Sequence, residues 1–128
     1  MNEITANVNW IAVLVGTVVS FLLGWLWYSP KLFGRKWAEG VGVKLGAASS
    51  APAAAMVVQL IATFLLSWVV GVTAARNALM TIILIVPMLV LFIVANGFFG
   101  KKTGFAVAVE AGFVVAMAVV MIVVQGIF

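Results

Sequence analysis

Four long apolar segments constrain this chain more than any other feature of its sequence. Each is about 20 residues long, the length at which an α-helix rising 1.5 Å per residue crosses the roughly 30 Å hydrocarbon core of a bilayer. The chain has 128 residues, of which 66% are hydrophobic and 8% are charged, so these segments take up most of its length. The sequence therefore predicts an all-α, polytopic membrane protein with no water-soluble domain.

The predicted architecture is a single transmembrane domain over residues 1–128, built as an antiparallel bundle of four transmembrane helices. The predicted helices cover about 9–29, 52–75, 78–99 and 105–127. Asn7 or Asn9 is expected to cap the first helix, and Pro30 to end it, because proline disfavours helical backbone in the residue before it. Only Arg76 and Asn77 separate the second and third helices, which predicts an antiparallel hairpin.

Residues 30–51 form the only loop of any size, and their pattern is amphipathic. On a helical wheel the apolar Phe33, Trp37 and Val41 share one arc. The charged residues lie roughly opposite: Lys31, Arg35 and Glu39. Such a pattern predicts a short interfacial helix between the first and second transmembrane helices, lying in the headgroup plane. Ser50 and Pro52 then mark the start of the second transmembrane helix.

The basic residues predict how the chain is oriented. Arg76 is the one basic residue of the second loop. The other six Lys and Arg residues fall in the first and third loops: Lys31, Arg35, Lys36, Lys44, Lys101 and Lys102. Under the positive-inside rule, loops 30–51 and 100–104 are cytoplasmic and both termini lie outside. The first ten residues contain no basic residue, unlike a secretory signal peptide, so the first apolar segment is expected to be retained.

The motifs around the first predicted helix resemble a known family. The segments NWIAVL, Asn9 to Leu14, and WYSPKLFGRKW, Trp27 to Trp37, are similar to the bacterial membrane family called domain of unknown function 1761. A weaker similarity covers NGFFGK, Asn96 to Lys101, and EAGF, Glu110 to Phe113; the family pattern continues with a histidine where this chain has Val114. The resemblance implies a four-helix protein of the bacterial cytoplasmic (inner) membrane, and it implies no activity.

Small and polar residues recur every four positions inside the predicted helices. In the first helix these are Ala12, Gly16, Ser20 and Gly24, and in the second they are Ala55, Gln59, Thr63, Ser67, Gly71 and Ala75. Gly112 has a similar place in the fourth helix. The favoured interpretation is helix packing, since small residues let helices approach closely in lipid. The alternative is a polar conduit lined by Gln59, Thr63 and Ser67. Because the stripes exceed what one protomer needs, the sequence also predicts a homo-oligomer.

Glu110 is the one carboxylate inside a predicted transmembrane helix. A charged group at such depth is costly and by default indicates function, here a proton or cation site that Asn96, Gln59, Thr63 and Ser67 would complete. The favoured interpretation is nevertheless a structural carboxylate that reaches the interface or pairs with Lys101, Lys102 or a base of the first loop. Pro87 is expected to kink the third helix. The favoured interpretation of this kink is a feature of helix packing, and the alternative is a gating hinge.

Aromatic and basic residues cluster where the first helix ends: Trp25, Trp27, Tyr28, Lys31, Phe33, Arg35, Lys36 and Trp37. One interpretation is a site for anionic lipid headgroups on the cytoplasmic side, where each base near the surface is worth about 1 kcal/mol. The other is an ordinary aromatic belt beside charges that set topology.

The residue types also limit the function classes. Without Cys or His, the chain has no thiol or imidazole chemistry, and we expect neither an enzyme nor a cofactor or metal. Nucleic acid is not expected either, because the bases lie at the membrane surface despite the net charge of +4. The favoured function is an oligomeric structural or interaction bundle that packs with itself, with lipids or with a larger membrane complex. The alternative is a small transporter or channel that couples to protons or cations through Glu110.

Overall fold

The computed structural model describes residues 2–29, 31–42 and 53–128. Its helices are α1 (Trp10–Trp27), α2 (Gly34–Val41), α3 (Ala53–Ala75), α4 (Ile82–Phe99) and α5 (Gly104–Ile127). Short 3₁₀ turns cover Asn2–Ile4 and Leu79–Thr81, and the described ranges contain no strand. The predictions made for Pro30, Lys44, Ser50 and Pro52 fall outside the described residues.

Four of these helices are long and apolar enough to cross a membrane: Trp10–Trp27, Ala54–Ala75, Leu79–Phe99 and Gly104–Ile127. Their outer surfaces carry large apolar side chains such as Leu22, Leu84 and Phe92, each more than half exposed. Contact of such apolar surfaces with lipid tails costs no free energy, whereas their contact with water is unfavourable. The predicted fold class, an all-α protein with four membrane-spanning helices and a short helix between the first two, is confirmed.

Helix α5 lies at the centre of the bundle and contacts each of the other four helices. Helix α3 packs mainly on α1, and α4 packs on α5. The predicted hairpin of α3 and α4 is therefore joined at one end without extensive packing along its length. Asn77 adopts a left-handed backbone with φ of 54°, and the turn at Leu79–Thr81 follows before α4 begins.

The contact between α1 and α3 is close because Gly16 has no side chain. A Cβ atom at Gly16 would lie 2.8 Å from Ser67 Oγ. The Ser67 hydroxyl donates a hydrogen bond of 2.8 Å to the Val13 carbonyl, which also accepts the Thr17 hydroxyl at 2.7 Å. The Thr17 and Ser67 hydroxyls are thus satisfied by backbone oxygen inside a buried interface.

The amino-terminal segment is tied to the far end of α3. The Asn9 side chain accepts a hydrogen bond of 3.1 Å from Ala12 N, so Asn9 rather than Asn7 caps α1. Trp68 Nε1 donates to the Ile4 carbonyl at 2.7 Å, and the Arg76 guanidinium donates to the Glu3 carbonyl at 2.9 Å. At its other end α1 stops at Trp27, before the predicted Ser29, because Ser29 N bonds to Leu26 O in a tighter turn.

Candidate functional site

The first feature of the candidate site is the contact between α2 and the start of α5. Thr103 N donates to the Gly40 carbonyl at 3.2 Å, while the Thr103 hydroxyl caps α5 by accepting from Ala106 N at 3.2 Å. A Cβ atom at Gly40 would lie 2.6 Å from the Ala106 Cβ. The absence of a side chain at Gly40 therefore lets α2 lie directly on the first turn of α5.

Gly34 has a corresponding role at the other end of α2. A Cβ atom there would collide with the backbone carbonyl oxygens of Tyr28 and Ser29. The Gly34 N–H donates to the Ser29 carbonyl at 3.0 Å. The turn from α1 into α2 is thus too tight for any residue with a side chain at this position.

Glu110 lies beneath α2 and is held by two donors. Trp37 Nε1 donates to Glu110 Oε2 at 2.9 Å, and Lys102 Nζ lies 3.0 Å from Oε1 and 2.9 Å from Oε2. The Glu110 side chain is 18% exposed and that of Lys102 is 33% exposed. The carboxylate therefore connects α2, the turn between α4 and α5, and α5 itself, while Lys102 balances its charge.

Aromatic rings pack against one another next to this carboxylate, and we call this group the aromatic layer. Its members are Trp27, Tyr28, Phe33, Trp37 and Phe113. Ring centroids are 4.9 Å apart for Trp27 and Phe33, and 5.0 Å apart for Tyr28 and Trp37, which meet edge to face. Such arrangements contribute about 0.5–1.5 kcal/mol per pair beyond the area that they bury.

Two members of the aromatic layer also have fixed polar groups. Trp27 Nε1 donates to the Val109 carbonyl at 3.0 Å, which anchors the end of α1 to α5. Burial, and to a smaller extent the Glu110 carboxylate, raises the pKa of the Tyr28 phenol. Because desolvation and a nearby negative charge both disfavour phenolate, Tyr28 is neutral at physiological pH.

The cations of the predicted lipid site lie in the first turn of α2 and in the turn before it. Lys31, Arg35 and Lys36 are all exposed, and Lys36 Nζ lies 5.2 Å from the centroid of the Phe105 ring. Trp25 is 77% exposed and stands apart from the aromatic layer. The predicted cluster is thus divided into a packed aromatic part and an exposed basic part.

The five residues of the predicted ion or proton site do not form one hydrogen-bonded group. Within the described residues, the partners of Glu110 are Trp37 and Lys102, and Asn96 lies on the exposed side of α4. Gln59 is exposed on α3 and donates to Thr63 Oγ1 at 3.3 Å. Thr63 and Ser67 are buried. The structure thus brings Gln59 and Thr63 together, and it gives Glu110 other neighbours.

The small residues predicted for helix packing lie at contacts between helices. Ala12 and Ser20 are buried, and a Cβ atom at Gly24 would lie 2.8 Å from the Phe113 ring. A Cβ atom at Gly71 would lie 2.7 Å from Val13, and one at Gly112 would lie 3.4 Å from Trp27. In the second stripe, Ala55 and Gln59 are exposed, whereas Thr63, Ser67 and Gly71 are buried.

Pro87 lies inside α4, on the wall of an open groove between α4 and α5. The groove has a volume of about 460 Å³ and is lined by apolar side chains, among them Val86, Ala118 and Ile122. A groove with this lining offers no group that would orient a polar substrate.

Sequence reasoning missed three residues of the site: Gly34, Gly40 and Thr103. The two glycines weaken the helix propensity of α2, which is the signal that could have revealed them. Glycines inside a short helix often mark a place where another backbone comes close.

Comparison with known proteins extends the family resemblance. The family described as "Protein of unknown function (DUF1761)" matches residues 11–126. No curated protein and no solved structure matches the chain. The match covers all four long helices apart from the first residue of α1 and the last of α5.

Proposed function

Since the chain belongs to the DUF1761 family, whose description names no activity, we propose from its own geometry that it is a membrane interaction protein and not an enzyme. In this proposal it is a small helical bundle that packs with copies of itself, with lipids or with a larger membrane complex. Its family and its four apolar helices make it a multi-pass membrane protein, and the interaction role goes one step further.

The observation that carries the proposal is that the Glu110 carboxylate is hydrogen-bonded to two side chains of the protein. A carboxylate that binds a transported proton or cation needs access to water and an exchangeable partner. Here both oxygens accept a hydrogen bond from Lys102, and Oε2 also accepts one from Trp37. This geometry supports a carboxylate that fixes α2 on α5, and it favours the interaction role over transport.

A flux assay tests the proposal. The protein and its Glu110→Gln variant are reconstituted in liposomes at matched density, with Glu39→Gln, which changes an exposed carboxylate of α2, as the control. We expect proton and potassium flux equal to that of protein-free vesicles in all three samples. Flux that is present in the parent and in Glu39→Gln and lost in Glu110→Gln would instead establish the transport alternative.

We also propose that the chain lies in a bacterial cytoplasmic membrane with both termini outside. The bond between Thr103 N and the Gly40 carbonyl places the turn that carries Lys101 and Lys102 beside α2. Lys31, Arg35 and Lys36 then share one end of the bundle with the two lysines of that turn, which supports the orientation expected from the positive-inside rule. Fusions to the C-terminus should be active for a reporter that folds outside and inactive for a cytoplasmic one; the reverse result would overturn this orientation.

A further inference from the structure

We propose that the exposed side of α2 and the turn before it form a docking surface for the headgroup phosphate of an anionic phospholipid. This surface, which we call the basic ridge, consists of Lys31, Arg35 and Lys36. The inference rests on the proposed function and deepens it, since it names one class of lipid as the partner and the residues that recognise it.

The first argument is the charge of the ridge. All three side chains are exposed, and none of them takes part in an ion pair within the described part of the chain. Lys102, by contrast, forms an ion pair with Glu110. The one acid of α2 is Glu39, so the ridge keeps an excess of positive charge that an anionic phosphate would balance.

The second argument is that the backbone beneath the ridge is fixed before any lipid binds. Trp37 is bonded to Glu110, the Gly40 carbonyl accepts from Thr103 N, and Gly34 is held in a turn without room for a side chain. A binding surface held in place in this way loses less conformational entropy when a ligand binds than a mobile loop does.

The third argument separates a phospholipid from a free anion. Lys36 Nζ lies over the Phe105 ring, and Phe105 and Leu32 are both exposed. Phe105 belongs to the first turn of α5, where a membrane-spanning helix reaches the headgroup level. A phospholipid places its phosphate among the cations and its acyl chains beside these apolar side chains. Inorganic phosphate matches only the cations.

The experiment follows thermal unfolding of the full chain in a neutral detergent during three titrations. The probes are short-chain phosphatidylglycerol, phosphatidylcholine of the same chain length, and inorganic phosphate. We expect phosphatidylglycerol alone to raise the unfolding midpoint in a saturable way, because a ligand that binds the folded state stabilises it. Arg35→Gln and Lys36→Gln should each weaken the apparent affinity about fivefold, from about 1 kcal/mol per base.

Lys101→Gln is the matched control, because Lys101 is an exposed cation at the same end of the bundle. We expect it to change the affinity less than about twofold, since it lies outside the ridge. An equal loss in Lys101→Gln and Arg35→Gln would overturn the ridge as a site and leave only general surface charge. Equal stabilisation by phosphatidylcholine, stabilisation by inorganic phosphate, or none by phosphatidylglycerol would also overturn it. The flux assay is independent of all these results, so failure of the lipid site is distinguishable from failure of the proposed function.

Discussion

Single residues at the contact between α2 and α5 have roles that depend on their neighbours in space. Trp37 shares its arc of the predicted helix with apolar residues, yet its indole N–H is a donor to Glu110. Indole has one donor and usually finds a partner for it when it is partly buried. The Trp37 side chain thus combines a hydrophobic contact with a charge-assisted hydrogen bond.

Replacement of Trp37 by phenylalanine tests that hydrogen bond. We expect Trp37→Phe to lower the free energy of unfolding by roughly 1–2 kcal/mol, because a bond to a charged group is lost while an aromatic ring remains. Trp25→Phe is the control, since Trp25 is 77% exposed and should change stability by less than about 0.5 kcal/mol. The measurement is denaturant unfolding in detergent followed by circular dichroism. Equal effects of the two variants would argue against the bond.

Gly34 gives a second prediction for a single residue. We expect Gly34→Ala to destabilise the protein by about 1–3 kcal/mol, because the new methyl group meets backbone oxygen that has no room to move. Gly126→Ala is the control: no atom lies within 4 Å of the added Cβ, and alanine favours a helix by up to about 1 kcal/mol. Thermal unfolding of both variants checks this, and a Gly34→Ala variant as stable as the parent would contradict the tight turn.

Between elements, the contact of α1 with α3 depends on a pair of small residues. Gly16 faces the Ser67 hydroxyl, and that hydroxyl bonds to the Val13 carbonyl. The space at Gly16 and the bond of Ser67 therefore depend on each other. Residues in direct contact of this kind have effects on stability that do not add.

A double-mutant cycle measures this dependence. We expect Gly16→Ala to cost about 1–2 kcal/mol, because its methyl group displaces the Ser67 hydroxyl. In a Ser67→Ala background the same change should cost less than about 0.5 kcal/mol, since the hydroxyl is gone. Ser67→Ala alone should cost about 0.6 kcal/mol, a typical value for a hydrogen bond between membrane helices. A cost of Gly16→Ala that is the same in both backgrounds would show that the two residues are not coupled.

Helices α4 and α5 differ in how much of each is buried. In the apolar 18-residue stretch of α4 that could span a membrane, 11% of the residues are buried, whereas 44% are buried in the corresponding stretch of α5. Local opening depends on the number of contacts that must break, so α4 should open at a lower free energy than α5. We expect its amides to exchange hydrogen at least about tenfold faster in detergent, which corresponds to 1.4 kcal/mol. Hydrogen exchange with mass spectrometry checks this, and equal protection of the two helices would contradict it.

For the whole molecule, the exposed polar groups bear on self-association. In the described part of the chain, the Asn96 side chain makes no hydrogen bond and lies on the outer side of α4. The Gln59 amide is also exposed, but it is bonded to Thr63. Lipid tails cannot satisfy an amide, whereas the same amide of a second copy can.

We therefore expect the protein to self-associate in detergent and Asn96→Leu to weaken that association about threefold to tenfold. Gln59→Leu, which removes an amide already paired within its own helix, is the control and should have a smaller effect. Light scattering coupled to size exclusion measures the mass over a range of protein concentrations. A monomer at every concentration would contradict the oligomer, and equal effects of both variants would contradict the role of Asn96.

The class of fold is a local property of the chain and can be predicted from its amino-acid sequence. Runs of about 20 apolar residues are incompatible with water and match the bilayer, so four spanning helices follow from length and hydropathy alone. The NWIAVL and WYSPKLFGRKW motifs also identified the family that the comparison confirmed. The short helix between the first two spans followed from an amphipathic pattern, which is likewise a local property.

The pairing of the helices and the contacts between distant side chains become visible only in the folded bundle. Hydropathy is nearly uniform around each spanning helix, so the sequence does not indicate that α4 packs on α5 or that α3 packs on α1. Lys102 is one of several bases that the sequence offers as partners of Glu110, whereas nothing in the sequence points to Trp37, which lies on α2, 73 residues away in the chain. Contacts over such separations depend on the helix arrangement, and spacing along the sequence does not specify them.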